Sequence, residues 1–359
     1  MTLFHKITII VFALFLTFKV NALMEVNNEY LISTMNEFSK MIIDDDNQYP
    51  NYYAGMYLNN EGDKIIFKYV KSLVNKDDKE VINKILSNNN VLGIESKYSY
   101  NYLLSESIDI TKNNVKNENY IGSYVDVMNN KIIVEFDENY HNNPFILTKN
   151  SSMIIDKESV INDYTKINYA HKMYNLKTKK GPGSPTSSQC TVGFRTKYAG
   201  EYGYVTAGHC VGISSINDGK VLLSKNEGTS DYAFVRTRDK FVLTNKLIYP
   251  GDGVKELEVS NYTPFIYVNT VVGKSGKSTG FTSGKVTTTS YSGNFDGTDF
   301  YNLVCANLSS ARGDSGSAIF AYNGEYGVLY GILKGASRDG KTCFTHVMYI
   351  DGDIIRGRY

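Results

Sequence analysis

The sequence has no Trp, only 4 Cys and 6 Pro among its 359 residues, and no excess of charge of either sign. Its 38 Lys and Arg stand against 37 Asp and Glu, a formal net charge of +1. A protein that binds nucleic-acid phosphates needs a concentrated basic face, so this balance argues against a nucleic-acid partner. A hydrophobic content of 42% can fill a core, which argues against a disordered chain. The length is sufficient for two domains.

Long hydrophobic runs are absent apart from one near the N-terminus. Lys6 precedes a largely apolar run of 12 residues, Ile7 to Phe18, which is shorter than the roughly 20 residues of a membrane-spanning helix. Val20 and Ala22 then place small residues at the two positions that a signal peptidase reads before a cut after Ala22. The pattern predicts a signal peptide over residues 1–22 rather than an uncleaved anchor. We expect a secreted, extracellular protein, free of the membrane after cleavage, in which disulfides can form.

Glycine is scarce in the first half, residues 1–180, which contains 4, whereas the second half, residues 181–359, contains 26 together with all 4 Cys. Short apolar runs separated by glycines are typical of antiparallel strands joined by tight turns, so the second half is predicted to be all-β. The first half mixes helical and strand patterns, which predicts an α+β domain over residues 23–180. Basic residues Lys177–Lys180 lead into a Gly/Pro/Ser-rich linker at 181–188, which is expected to be exposed and open to cleavage.

Within the first half, the pattern predicts a helix at Val81–Leu86 and strands at Lys64–Val70 and Lys131–Phe136. Two pieces, beginning at Ala54 and at Ile121, resemble each other, because each places a short turn after a Gly-containing strand. The likeness is too weak to establish a repeat.

Three short segments of the second half together carry the residues of a hydrolytic site: Thr206-Ala207-Gly208-His209-Cys210, Ser230-Asp231-Tyr232-Ala233-Phe234-Val235 and Arg312-Gly313-Asp314-Ser315-Gly316-Ser317. A serine hydroxyl attacks a carbonyl poorly unless an imidazole takes its proton. That imidazole in turn needs a carboxylate on its other ring nitrogen to fix its tautomer. His209, Asp231 and Ser315 supply these three groups.

The order His, Asp, Ser in a Gly-rich, exported chain resembles the chymotrypsin-like serine proteases, specifically the branch of streptogrisins and α-lytic protease, which carries a large N-terminal pro region. The likeness covers roughly residues 189–359, with a weaker likeness of the Ala54 and Ile121 segments to such pro regions. It implies two antiparallel Greek-key β-barrels with the site in the cleft between them, preceded by an α+β pro domain. It also implies a monomeric serine endopeptidase made as a zymogen, acting on protein or peptide substrates without a cofactor.

The resemblance assigns a role to each residue of the three segments. His209 would act as general base and then acid, Asp231 would orient it, and Ser315 would be the acylated nucleophile. The backbone N–H groups of Gly313 and Ser315 would form the oxyanion hole. Gly313 has a physical reason to be glycine, because a Cβ would obstruct the turn that aims its amide at the substrate.

Four cysteines allow three disulfide pairings. The resemblance implies a bond between Cys190 and Cys210 beside the candidate base, which leaves Cys305 to pair with Cys343. Cysteine and histidine lack metal-ligand spacing, so no metal site is expected.

In this branch an internal arginine pairs with the aspartate before the nucleophile, and the matching position here is Lys274. We expect a buried pair between Lys274 and Asp314; the alternative is that Lys274 is a solvated turn residue. A third disulfide of the family is missing, because Gly273 and Ser283 occupy its positions.

Two other motifs imitate known sites. Gly276-Lys277-Ser278 looks like the end of a phosphate-binding loop, but Val271 stands where that motif needs a glycine, which argues against nucleotide binding. Arg312-Gly313-Asp314 matches an adhesion tripeptide, and its place in the candidate catalytic loop favours the oxyanion role.

The resemblance predicts a substrate pocket lined by Ser309, Arg312, Gly335 and Ala336. Ser309 at its base is neutral, so lysine or arginine side chains of a substrate lack an acidic partner. Gly331–Ala336 contains no histidine, which Glu-selecting relatives carry there, and Ala336 in place of a glycine should narrow the pocket. Lys334 replaces the serine that relatives keep near the triad aspartate. We expect a small or medium apolar side chain before the cut bond.

The predicted pro region, residues 23–180, is much longer than an inhibitor requires. A Gly-rich double barrel loses much conformational entropy on folding and nucleates slowly, so the pro region is expected to assist folding as well as to inhibit. Its removal is expected near Lys180.

Two alternatives to a serine endopeptidase stay open: a catalytically silent member of the fold that binds a ligand, and an esterase that is not a protease.

Overall fold

The computed structural model describes residues 29–44, 48–137, 144–148, 151–154, 160–162, 165–170, 174–175, 190–211, 219–237, 246–251, 253–322, 327–337 and 340–356. The predicted signal peptide, the boundary at residue 180 and the linker at 181–188 lie outside these residues. Within the described residues, no helix is both long and apolar enough to cross a bilayer.

Helices contribute a small part of the described chain: α1 (residues 29–42), α2 (Lys76–Leu86), α3 (Tyr100–Asn114) and the short α4 (Gly352–Arg356). Helix α2 begins at a capping box in which the Asn75 side chain accepts from the amide of Asp78, while the Asp78 side chain accepts from that of Asn75. The helix predicted at Val81–Leu86 is the C-terminal part of α2.

Strands make up most of the rest. The first half contains β1 (Tyr53–Leu58), β2 (Ile65–Tyr69), β3 (Val91–Glu95), β4 (Tyr120–Asp126), β5 (Lys131–Asp137), β6 (Pro144–Thr148), β7 (Ser151–Ile154), β8 (Val160–Asn162), β9 (Thr165–Ala170) and β10 (Tyr174–Asn175). The strands predicted at Lys64–Val70 and Lys131–Phe136 correspond to β2 and β5.

The second half contains β11 (Phe194–Tyr198), β12 (Glu201–Thr206), β13 (Gly219–Glu227), β14 (Ser230–Thr237), β15 (Lys246–Gly251), β16 (Gly253–Tyr262), β17 (Val271–Gly276), β18 (Gly280–Phe295), β19 (Thr298–Ala306), β20 (Ala318–Tyr322), β21 (Gly327–Ala336) and β22 (Thr342–His346). The protein is therefore mostly β with few helices.

Two sheets position the site. Strands β11, β12, β14 and β13 form an antiparallel sheet in that order. A mixed sheet contains β15–β22 and continues into the first half, because β4 pairs antiparallel with β18 at Gly122 and Ser123. Strand β10 also pairs antiparallel with β21, with Tyr174 opposite Ala336 and Asn175 opposite Gly335. The first half thus adds strands to the sheet of the second.

The two similar pieces of the first half have the same local structure. Strands β1–β2 and β4–β5 are both antiparallel hairpins, and each has a register shift that ends at a glycine, Gly55 or Gly122. The second strand of each hairpin pairs in parallel with a later strand, β3 or β9.

The hydrophobic cores also join the halves. The core of the first half, formed around Phe67, Leu103 and Ile132, includes Tyr267 and Val268 from the second half. A core around Tyr232, Phe234 and Phe320 lies beneath the sheet of β11–β14 and includes Ile354 and Ile355 of α4. Buried apolar area is the main source of stability, so these contacts hold the site residues between packed sheets.

Candidate active site

His209 lies in a one-turn 3₁₀ helix, Gly208–Cys210, directly after β12. A Cβ on Gly208 would overlap the backbone carbonyl of Lys225 on β13, so only glycine allows this close approach. The turn is anchored by the disulfide between Cys190 and Cys210. The backbone of this segment therefore fixes the direction of the imidazole.

Asp231 lies at the start of β14 and is fully buried. Its Oδ1 accepts from the backbone N–H of His209 at 2.8 Å, and its Oδ2 lies 2.6 Å from Nδ1 of the same residue. Its own backbone N–H donates to Thr345 Oγ1 at 2.9 Å. These contacts hold the carboxylate against one edge of the ring and favour the tautomer with a proton on Nδ1.

Ser315 lies in the turn between β19 and β20, and its side chain is buried. Its Oγ lies 2.9 Å from His209 Nε2 and 3.0 Å from the backbone carbonyl oxygen of Lys334. The structure thus brings the hydroxyl, the imidazole and the carboxylate into hydrogen-bond contact. In the sequence, Asp231 is 22 residues and Ser315 is 106 residues from His209.

The turn before Ser315 is held by side-chain hydrogen bonds to two of its carbonyl groups. Gly313 has φ of +107°, and a Cβ there would overlap Ser278 Oγ. Thr191 Oγ1 donates to the Gly313 carbonyl at 2.7 Å, and Ser278 Oγ donates to the Arg312 carbonyl at 2.6 Å. Among the described residues, no hydrogen bond uses the backbone N–H of Gly313 or Ser315. Both amides are therefore available to a ligand.

No family model matches the chain. Glutamyl endopeptidase 2 of Streptomyces griseus is 34% identical over 158 residues, which cover 42% of this chain and 80% of that protein. Serine protease 2 of Streptomyces fradiae is 30% identical over 164 residues, which cover 43% of this chain and 92% of that protein. The chain belongs to the chymotrypsin-like serine proteases of the streptogrisin branch. A solved Nocardiopsis protease is 26% identical and covers 45% of this chain and 88% of its own, with a TM-score of 0.41.

In this protease the aspartate before the candidate nucleophile is buried and paired. Lys274 Nζ lies 3.2 Å from Asp314 Oδ2, and both side chains are inaccessible to solvent, which excludes the solvated-turn alternative for Lys274. Burial opposes ionisation of Asp314, but hydrogen bonds from Thr279, Ala311 and Ser278, with the charge of Lys274, hold its pKa below the usual value.

The segment that imitates a phosphate-binding loop contributes to the same contact. The backbone N–H of Ser278 donates to Asp314 Oδ1 at 2.8 Å, and Thr279 Oγ1 donates to Oδ2 at 2.6 Å. A Cβ on Gly276 would overlap the Asp314 carboxylate. Gly276-Lys277-Ser278 therefore surrounds a carboxylate of the protein itself.

Lys334 contacts the candidate triad directly. The resemblance places it near the triad aspartate, in place of a serine, but does not give the direction of its longer side chain. Its Nζ lies 3.2 Å from Asp231 Oδ2 and 3.3 Å from Asn226 Oδ1. Burial opposes ionisation of Asp231, but His209 and Lys334 together hold the pKa of this carboxyl well below its usual value.

The disulfides join the pairs that the resemblance implies. Cys305 on β19 and Cys343 on β22 lie directly opposite each other and are bonded. Gly273 and Ser283, at the positions of the missing family bridge, are also direct cross-strand neighbours. The sulfur atoms of Cys190 and Cys210 lie close to the His209 ring, but both are consumed in their disulfide and cannot bind a metal as thiolates.

The four predicted pocket residues lie on two segments near Ser315. Ser309 and Arg312 are exposed, on the segment before Gly313, and Thr282 Oγ1 donates to the Ser309 carbonyl at 2.6 Å. Gly335 and Ala336 are buried in β21, where they pair with β10. Their role in binding a substrate side chain stays a prediction.

Proposed function

We propose that this protease is a secreted serine endopeptidase made as a zymogen, with Ser315 as nucleophile, His209 as general base and Asp231 as the orienting carboxylate. The observation that carries the proposal is the continuous contact from Asp231 Oδ2 to His209 Nδ1 at 2.6 Å and from His209 Nε2 to Ser315 Oγ at 2.9 Å. Both distances are hydrogen-bond distances, and all three side chains are buried.

The chemistry proceeds in two balanced steps. In acylation, Nε2 of His209 takes the Ser315 hydroxyl proton while Oγ attacks the peptide carbonyl, and the imidazolium then protonates the departing amine. In deacylation, a water loses its proton to Nε2 and attacks the ester, and the same proton returns to Ser315 Oγ. Negative charge that develops on the carbonyl oxygen is stabilised by the N–H groups of Gly313 and Ser315.

For the fold, we propose two antiparallel Greek-key β-barrels with the site between them. The sheet of β11–β14 carries His209 and Asp231, and strands β17–β22 surround Ser315, which supports one barrel on each side of the site. The helices α1–α3 and strands β1–β9 support an α+β pro domain in the first half.

Inhibition by the pro region is supported by the pairing of β10 with β21. Tyr174 and Asn175 run antiparallel to Ala336 and Gly335, which directly follow Lys334, and the carbonyl oxygen of Lys334 lies 3.0 Å from Ser315 Oγ. A segment paired there competes with a substrate strand for the same edge. We propose that the pro region blocks the site in this way.

For processing, we propose removal of the pro region near Lys180, where basic residues lead into the Gly/Pro/Ser-rich linker at 181–188. Mass spectrometry of the secreted form tests this. A mature N-terminus within residues 177–188 is the expected result, and one outside that range contradicts the proposal.

For substrates, we propose proteins or peptides with a small or medium apolar residue before the cut bond. Of the four predicted pocket residues, Ser309, Gly335 and Ala336 supply no charge to a substrate side chain, and Arg312 is exposed. The ammonium of Lys334 contacts Asp231. A peptide-library digest tests this preference, and a dominant cut after acidic or basic residues contradicts it.

Reaction with a fluorophosphonate probe tests the catalytic assignment. The expected result is one covalent label on the wild-type protein, with loss of fluoride, and no label on Ser315→Ala. A matched control is Ser283→Ala, at an exposed serine on β18, which should label normally. Absence of labelling in the processed wild-type protein indicates a silent binding protein, whereas labelling with cleavage of esters but no peptide indicates an esterase.

A further inference from the structure

Lys334 carries a buried positive charge beside the proposed triad. Its side chain is inaccessible to solvent, and its Nζ lies 3.2 Å from Asp231 Oδ2, on the same oxygen that contacts His209 Nδ1. An ammonium there is at most about 6 Å from the imidazole, within the distance over which charges alter protonation strongly.

Several groups around Nζ attract a cation. It lies 3.3 Å from Asn226 Oδ1, 3.7 Å from the centre of the Phe300 ring and 5.3 Å from that of Phe295. A carboxylate, an amide oxygen and two ring faces are all attractive to a cation. Burial lowers the pKa of Lys334 below its usual value, and the charge and hydrogen bond of Asp231 partly oppose that effect.

We infer that Lys334 is a positioning residue of this protease, whose ammonium fixes the Asp231 carboxylate and, by repelling a second positive charge beside it, extends hydrolysis to a lower pH than the three triad residues alone allow. The inference rests on the proposed function. The charged imidazolium would be repelled by the nearby ammonium, whereas the neutral ring is not. The consequence is hydrolysis that persists into mildly acidic solution.

Other ionisable groups around this contact come from several elements. Asp296, exposed in the turn between β18 and β19, acts on Lys334 with the opposite charge. Lys225 on β13 is exposed, and its Nζ lies 5.8 Å from the centre of the Tyr232 ring. His346 on β22 is buried, and burial lowers its pKa to about 3, so it is neutral in the relevant range. Lys334 is the buried cation among these described groups.

The test is the pH dependence of kcat/KM, whose acidic limb reports the essential base of the free enzyme. Lys334→Ser and Lys334→Met are expected to raise the midpoint of that limb by about one pH unit, and Lys334→Arg to keep it close to the wild-type value. Lys225→Met, which removes an exposed positive charge from the neighbouring strand, is the matched control and should leave the midpoint unchanged. Because Lys334 is buried, the shift should persist in about 1 M salt, where exposed charges are screened.

A loss of folded protein would lower the amplitude of the pH profile without moving its midpoint. Active-site titration with the fluorophosphonate measures that loss and so separates it from a shift of the midpoint. Asn226→Asp leaves Lys334 in place and sets a carboxylate against the same ammonium, and it should also raise the midpoint. The inference is overturned if the midpoint stays at the wild-type value in all three variants, Lys334→Ser, Lys334→Met and Asn226→Asp. In that case, hydrolysis by the wild-type protein would still uphold the proposed function. A wild-type protein that neither labels nor hydrolyses peptides overturns both.

Discussion

At the scale of the residue, Asp231 illustrates how a buried carboxylate keeps its charge. Removal of an ion from water is unfavourable, and partners with the opposite charge and well-aligned donors can offset that penalty. His209 contributes two donors and Lys334 a third. Because Nδ1 is occupied by this carboxylate, Nε2 is the nitrogen left to accept the Ser315 proton.

His346 shows the opposite behaviour, because it is a buried base without a countercharge. Its Nε2 has no hydrogen-bond partner within the described part of the chain, and burial lowers its pKa from 6.5 to about 3. The unfolded chain therefore binds a proton near pH 6.5 that the folded chain does not bind until about pH 3. The stabilisation is complete above pH 6.5 and is lost as the pH falls, by about 1.4 kcal/mol per pH unit across this window.

We therefore expect His346→Leu to reduce the acid sensitivity of the fold. The measurement is urea unfolding at pH 7 and pH 5 in a Ser315→Ala background, where self-digestion cannot occur. The free energy of unfolding should fall less between these pH values in the double variant than in Ser315→Ala alone. Equal falls in the two proteins would contradict this prediction.

At the scale of the element, the β17–β18 hairpin supports the turn that carries Gly313 and Ser315. Lys274 on β17, with the amides of Ser278 and Thr279, surrounds the Asp314 side chain. Asp314 Oδ2 in turn accepts from the backbone N–H of Ala311 at 3.0 Å, which closes the turn. The hairpin therefore determines the direction of the two amides.

Lys274→Met should leave Asp314 buried without its countercharge. Breaking a buried ion pair from one side typically costs about 3–5 kcal/mol, and the turn should lose its geometry together with its activity. Thermal unfolding and kcat measure the two effects. Lys277→Met, on the exposed face of the same hairpin, is the control and should alter neither; a Lys274→Met protein as stable and active as the wild type would show that the pair is unimportant.

Gly313→Ala should lower kcat by about 100-fold to 1,000-fold, the usual effect of losing one oxyanion donor. The reason is that the Cβ would overlap Ser278 Oγ and that φ of +107° disfavours a side chain. Gly297→Ala is the matched control, because Gly297 has φ of +89° but open space around its Cα. We expect Gly297→Ala to lower the melting temperature slightly and to leave kcat unchanged, whereas equal kcat values for the two variants would contradict the oxyanion role.

At the scale of the whole molecule, the two halves share sheets, core and charge contacts. Strand β4 extends the sheet at β18, and Lys341 of the second half forms an ion pair with Glu135 of the first. Tyr57 of β1 bridges to Val268, which lies in the core of the first half. The first half therefore covers apolar and backbone surface that the second half would otherwise expose.

We expect residues 184–359 expressed alone to give little active protease, because a Gly-rich fold of mostly non-local strand pairs orders slowly without the first half. Addition of residues 23–180 in trans during refolding should increase the yield of fluorophosphonate-reactive protein, and should also inhibit peptide hydrolysis by the refolded enzyme. The control is addition of the same fragment after refolding has ended. Ready refolding of residues 184–359 by themselves would contradict a role of the first half in folding.

Much of the local structure could be predicted from the sequence. Short apolar runs predicted β2 and β5, and the polar flanks of Val81–Leu86 predicted the end of α2, because such patterns are local. The extent of β10 could not be predicted, since a two-residue strand has no periodicity and depends on the edge of β21.

The sequence by itself determined which chemical groups this protein can bring to a reaction, because the motifs around His209, Asp231 and Ser315 are local and their order identifies the family. Only the tertiary structure decided which of these groups touch, and which unexpected neighbour joins them. Lys334 and Asp231 are 103 residues apart, and their contact depends on β14 and β21, strands of two different sheets, meeting at one buried oxygen. Such a contact leaves no periodic or spacing signal in the chain, because it is set by long-range packing and by the loss of water around both charges.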